Sequence, residues 1–309
     1  MFEVTMQNLR QGLLSSCLFA YSAISAQVDN YFEFTSNWIK GDKIVYQLSE
    51  LKFKQNPYGQ YLYMQYDTSY MIFNVIEKTD SNTLINLNFA DGYYNGIPTN
   101  DVMDGIDPLK TETYELAFNN QGAFIELLNW EKFAGILIQN LKTSYINKEI
   151  DSLTLKYYYV YYHNQSNVEK TLLPRMLELT SLYGEKYVIN TRYTQAREVV
   201  NPFGGDNLMK SGTFYAYTLP EFKNSTFFKG QVKTDYDDNL TLQEEYYANS
   251  NAQKPDTFIE AAPYIYMVDT YEYQYGNITK KIIRYATTHT VHFGNDKQGL
   301  DRTYQLMSY

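Results

Sequence analysis

One cysteine, three histidines and two tryptophans are all that the 309 residues hold of those types. A single thiol excludes a disulfide framework within the chain and any zinc or iron–sulfur site built on several cysteines. Three histidines are too few for a multi-histidine metal centre. No phosphate-binding Gly-x-x-x-x-Gly-Lys loop and no nucleophile elbow is present, and Gly204-Gly205 lacks the flanks of a dinucleotide fingerprint. Lys and Arg number 26 against 35 Asp and Glu, a formal charge of −9. That balance argues against nucleic acid as a partner. Charged residues make up only 20%, which argues against disorder. No catalytic residue, cofactor or metal ligand is assigned on these grounds, and the ligand-binding residues are unknown at this level.

What is abundant is tyrosine, with 33 Tyr beside 17 Phe. Tyrosine favours strands and joins an apolar body to a polar tip. The chain is long enough to bury a large core without covalent staples.

Leu13 to Ala26 is apolar or small throughout and follows Arg10. This reads as a signal peptide over 1–26, cut between Ala26 and Gln27. A second reading stands beside it. Leu14-Ser15-Ser16-Cys17 resembles a lipoprotein box, in which Cys17 carries lipid and holds the protein at a membrane. The apolar run continues past Cys17, which favours simple secretion. Beyond the leader no run approaches 18 apolar residues, so no transmembrane span is expected.

From 31 to 127 the pattern predicts strands, among them 43–48, 61–66, 71–77, 83–89, 113–118 and 123–127, with a hairpin at Thr79–Asn82. Imperfect alternation of Leu84, Leu87 and Phe89 predicts a bulge or a strand buried on both faces. Residues 91 to 110 read as a long loop. Asn129 is placed to cap a helix from Trp130 to about Tyr145, with Trp130, Ala134, Leu137 and Leu141 as its apolar stripe. Ser166-Asn167-Val168-Glu169 reads as a capping box opening a helix that Pro174 kinks and Gly184 stops. The tyrosine-rich stretch 153–162 is assigned to helix. Strands return at 187–193, 212–219, 240–247, 264–275 and 280–293. The order strands, helices, strands excludes a doubly wound parallel sheet.

The candidate chemistry is sparse. His289 and His292 lie three apart in a strand-like run, which puts them on opposite faces and denies them a shared metal. His163 reads as a surface residue. Asp101, Asp104 and Asp107 form one acidic loop near Asn100, and Asp235, Asp237, Asp238 and Asn239 form another. Both have oxygen ligands for calcium, and turn-forming, solvated Asp explains both more simply. Glu244-Glu245 are adjacent and point apart on a strand. Tyr271, Tyr273 and Tyr275, continued upstream by Tyr264 and Tyr266, predict a tyrosine ladder on one sheet face. That face either packs on the helices or forms a concave aromatic surface for a ligand.

Asn37-Trp38, Gly41-Asp42 and Tyr46, then Asn120 to Leu127 leading into Asn129-Trp130-Glu131, resemble uncharacterised secreted proteins of Bacteroidota. The resemblance implies an extracytoplasmic compartment, periplasm or outer membrane, and no reaction. The expected architecture is one α+β domain over 27–309. A large twisted antiparallel β-sheet, open or a half-barrel, packs on a central helical segment at about 129–183. The expected function is non-catalytic binding of a hydrophobic ligand or an envelope protein. The alternatives are an interaction subunit without a small-molecule site, and a glycan hydrolase, which needs two carboxyl groups across a cleft.

Overall fold

The computed structural model describes residues 31–94, 97–99, 111–199, 208–234, 241–242, 244–245, 247, 265–293 and 296–308. The leader with Cys17, both acidic loops (100–107 and 235–239) and Tyr264 lie outside the described residues.

The chain is mostly antiparallel sheet. The strands are β1 (Tyr31–Glu33), β2 (Lys43–Gln55), β3 (Tyr61–Lys78), β4 (Asn82–Ala90), β5 (Gly92–Tyr94), β6 (Ile97–Thr99), β7 (Tyr114–Asn119) and β8 (Phe124–Leu127). After the helices come β9 (Lys186–Val188), β10 (Arg192–Val199), β11 (Leu208–Tyr217), β12 (Ser225–Thr234), β13 (Ile265–Gly276), β14 (Lys281–Phe293) and β15 (Asp296–Ser308). Eleven of them form one sheet in the order β10-β11-β12-β13-β14-β15-β2-β3-β4-β7-β8. The order has two ends, so this sheet is not closed into a barrel. Small two-stranded sheets pair β1 with β9 and β5 with β6.

Alternation explains the strands. In β13, Asp269, Tyr271, Tyr273 and Tyr275 are buried while the residues between them are more exposed. In β12, Phe228, Gly230, Val232 and Thr234 point inward, and Lys229, Gln231 and Lys233 are exposed. A period of two puts each such set on one face.

Among the described residues four helices are named: α1 (Trp130–Ile146), α2 (Ser152–Tyr161), α3 (Gln165–Leu172) and α4 (Pro174–Thr180). One cluster of buried side chains joins Phe133 and Leu137 of α1, Val168 of α3 and Met176 and Leu179 of α4 to Leu48, Leu116, Tyr273, Tyr285 and Tyr304 of the sheet. The Phe133 ring stacks on Tyr114 at 4.2 Å, and each such fully buried side chain contributes about 2 kcal/mol.

Several expectations change here. The helix expected from Ser166 starts at Gln165, and its cap is Asn164, whose side chain accepts from Asn167 N. Glu169 is drawn away from a capping box because it accepts from Leu127 N at 2.8 Å. Pro174 does not kink one helix. It opens a second, α4, after a break at Leu173, because proline lacks the N–H an interior position needs and suits a first turn. Gly184, expected as the helix stop, lies beyond the end of α4 with φ +88°. Asn129 precedes α1 without a side-chain cap. Its side-chain Oδ1 accepts from Glu115 N, and its Nδ2 donates to Thr113 O, fixing the helix start to β7. The described residues Thr241, Leu242, Glu244, Glu245 and Tyr247 are helical, not a strand. The bulge expected in β4 lies opposite it, between Val75 and Glu77 of β3.

Candidate functional site

Register builds the site. Tyr273 of β13 stands opposite Tyr285 of β14, which stands opposite Tyr304 of β15. Their rings stack at 3.9 and 5.2 Å, nearly parallel. Two residues along each strand, Tyr271 faces Thr287, Thr287 faces Arg302, and Arg302 faces Glu50 of β2. Two residues further, Asp269 faces His289, His289 faces Leu300, and Leu300 faces Lys52. Steps of two keep all three rows on one face.

Helix α4 lowers Glu178 onto these rows. Its carboxylate accepts from Tyr304 Oη at 2.7 Å, Tyr285 Oη at 3.3 Å, His289 Nε2 at 3.0 Å and Arg302 Nη1 at 3.1 Å. Arg302 Nε also donates to Glu50 at 2.6 Å, and Glu50 holds Arg175 of α4 as well. On the other side His289 Nδ1 lies 3.1 Å from Asp269, which accepts from Lys210 of β11 at 2.8 and 2.9 Å. Arg175, Glu50, Arg302, Glu178, His289, Asp269 and Lys210 thus form one chain of alternating charge.

Both imidazole nitrogens of His289 meet a carboxylate. A neutral ring donates from only one nitrogen, so this geometry demands the imidazolium. Burial works against that charge, but Asp269 and Glu178 outweigh it and raise His289 to about 9. Burial opposes ionisation of Asp269 too, yet His289 and Lys210 bring it down to about 2. Glu178 is likewise held below the usual carboxylate range, because His289, Tyr304 and Arg302 outweigh its burial. Burial and the Glu178 charge push the Tyr304 hydroxyl well up, which keeps it a donor.

Above this charged floor a cleft of about 680 Å³ opens between α4 and the sheet. Leu177, Tyr187, Phe214, Phe228, Tyr271 and Tyr273 form its walls, and Glu178, His289 and Arg302 reach its base. Gly230 makes one wall possible. A Cβ there would lie 1.9 Å from the Phe214 ring, so only glycine lets Phe214 lie over β12 and stack on Phe228 at 5.6 Å. Past His289 a second pocket of about 440 Å³ extends along the sheet.

Ser181 Oγ is engaged by Tyr273 Oη and Glu178 O, and among the described residues no histidine or carboxylate side chain bonds to it. Glycoside hydrolysis needs a protonated acid, whereas Glu178 is stabilised as a carboxylate. Among the described residues no group of three or more His, Cys, Asp or Glu side chains is placed to hold a metal ion.

The expected tyrosine ladder exists at Tyr271, Tyr273 and Tyr275, all buried. Tyr266 does not belong to it. Tyr266 stands at an odd offset from Tyr271, Tyr273 and Tyr275, so it lies on the opposite face, stacked on His292 at 4.3 Å. The ladder's hydroxyls reach protein, not water: Tyr273 donates to Glu178 O at 3.0 Å, and Tyr275 to Thr35 O. His289 and His292 are on opposite faces, as their spacing implies. His163 is exposed. Glu50, Glu178, Lys210, Asp269 and Arg302 were not singled out from the sequence. A charge at an inward position of an apolar strand is the signal they carry, visible in Glu50 two residues beyond Leu48 and in Asp269 two before Tyr271.

No family model matches this chain, and no curated protein matches it. A solved structure described as "Lipid-protein interactions in lipovitellin" is similar at a TM-score of 0.42 and 10% identity, over 88% of this chain and 26% of that one. The chain therefore spans about a quarter of that protein's length, and a likeness at this level carries no argument about ligand. Among the described residues no helix is long and apolar enough to cross a membrane.

Proposed function

We propose that this chain is a non-catalytic, extracytoplasmic protein that binds an apolar ligand in the cleft between α4 and the sheet. The observation that carries the proposal is the cleft itself, about 680 Å³ with aromatic walls, within the size range of sites for small apolar molecules. In this reading the sheet acts as the half-barrel cup and α4 as its partial cover. In the charge chain beneath, each of the three carboxylates lies between two cations. These pairs fix α4 to the sheet and keep the cleft open without needing the ligand.

A neutral dye that brightens in apolar surroundings, N-phenyl-1-naphthylamine, tests this. Saturable one-to-one binding is expected, competed by dodecanol and lost in Leu177→Trp, which fills the cleft from α4. An unchanged unfolding midpoint in that variant separates blockage from misfolding. No saturable binding by the unaltered protein would refute the proposal.

A further inference from the structure

The second pocket differs from the first in its charges. Its floor is apolar, with Met267, Val291 and Leu300, and Lys52 and Lys54 stand at its rim. These lysines lie two apart on β2, so they share a face, and register identifies it as the site's face. Lys52 is opposite Leu300 and Lys54 opposite Gln298. Both side chains are exposed. Among the described residues neither makes an ion pair or a hydrogen bond through its side chain.

Among the described residues, of the other charged groups on this face two carboxylates are paired with cations, and Asp296, opposite Phe293, and Asp67 are not. Asp269 is shared between Lys210 and His289. Glu50 is held by Arg175 and Arg302. Asp67, opposite Glu50 on β3, accepts from Gln65 at 3.0 Å, and Gln65 in turn accepts from Tyr63. Neither Asp67 nor Asp296 lines the pocket, so Lys52 and Lys54 are the charges in its lining that are not already paired, in a chain whose formal charge is −9.

Both pockets are lined by His289, so they are neighbours on one continuous face. β2 and β13 are three strands apart in the sheet order, roughly 14 Å at the usual strand spacing. A ligand that uses both must be long, apolar over most of its length and acidic at one end.

We propose that the ligand is an anionic amphiphile with a single chain, its acid group on Lys52 and Lys54 and its chain running past His289 into the aromatic cleft. This rests on the cleft reading above and names the ligand class for it. The shared chemistry is a carboxylate, sulfate or phosphate on an alkyl chain.

Calorimetric titration of the purified protein with dodecanoate and with dodecanol tests it, alongside Lys52→Gln/Lys54→Gln. The lysines are exposed, so the double variant leaves the core intact. Dodecanoate should bind more tightly than dodecanol. The double variant should weaken dodecanoate about fivefold, the size expected for two partly solvated ion pairs, and leave dodecanol unchanged. Added salt should reduce the difference between the two ligands in the unaltered protein. Equal binding of acid and alcohol, or a preference for the acid that survives in the double variant, overturns the lysine assignment while the cleft reading stands. If neither ligand binds, the cleft reading falls and takes this one with it.

Discussion

Raising the pH from 6 to 9.5 removes the proton that joins Asp269 to Glu178. The ordinary imidazole value is 6.5, and His289 in the folded protein titrates at about 9. Between these values the folded chain holds a proton that the unfolded chain has released. The stability contributed by His289 is therefore fully present below pH 6.5 and is lost as pH rises through 9. The full difference corresponds to about 3 kcal/mol. The His289 side chain is 33% exposed, and solvent screening brings the expected loss to about 2 kcal/mol. Urea unfolding at pH 6, 7, 8 and 9.5, in the unaltered protein and in His289→Gln, measures it. The unaltered protein should lose about 2 kcal/mol across the series. The variant should begin lower at pH 6 and stay nearly flat. His292, whose value is lowered chiefly by burial and then by Lys297 and Lys233, is common to both proteins and cancels. A flat profile in the unaltered protein, or parallel profiles in the two, would show that His289 does not carry the proton between the two carboxylates.

Two further outcomes follow from the same face. Lys210→Met leaves Asp269 with one cation fewer in a site where the two side chains are 2% and 4% exposed; urea unfolding at pH 7 should show a loss of about 3 kcal/mol, and a loss below about 1 kcal/mol would contradict the burial of the pair. Gly230→Ala drives a methyl into the Phe214 ring; it should cost about 1–3 kcal/mol and weaken dye binding in the cleft, and a variant equal to the parent in both respects would refute the role given to that wall.

Where a local rule decides, the sequence is readable. The Thr79–Asn82 hairpin follows from its turn residues, and its ends are tied by Thr79 N–H donating to Asn82 O and Asn82 N–H donating to Thr79 Oγ1. Helix α1 follows from the spacing of its apolar side chains, and α2 is where the tyrosine-rich stretch was assigned. The hidden parts depend on partners far along the chain. β12 alternates cleanly, yet Gly230 interrupts its apolar face, and only Phe214 lying above shows why the gap is tolerated. β15 offers Asp301, Arg302 and Gln305 among its apolar residues and reads as polar until Glu50 and Glu178 are in place. Glu178 looked like one acid on a helix, because nothing nearby in sequence announces the four donors that converge on it. The cleft was legible only as an aromatic excess. Its location required knowing which strands stand beside β13.

The place of β15 has a consequence for how the molecule comes to exist. β2, β3, β4, β7 and β8 form one meander and β10 to β14 another, and β15 lies between them, bonded to β14 on one side and β2 on the other. The link it makes is among the most distant in the chain, with Arg302 and Glu50 separated by 252 residues. During synthesis β2 therefore waits with one edge unpaired until β15 has been made. Contacts so remote in sequence form slowly, and a strand edge left open invites pairing with the wrong chain. The last strand of the sheet is its keystone, and the interval before it arrives is when the protein most needs protection from its own copies.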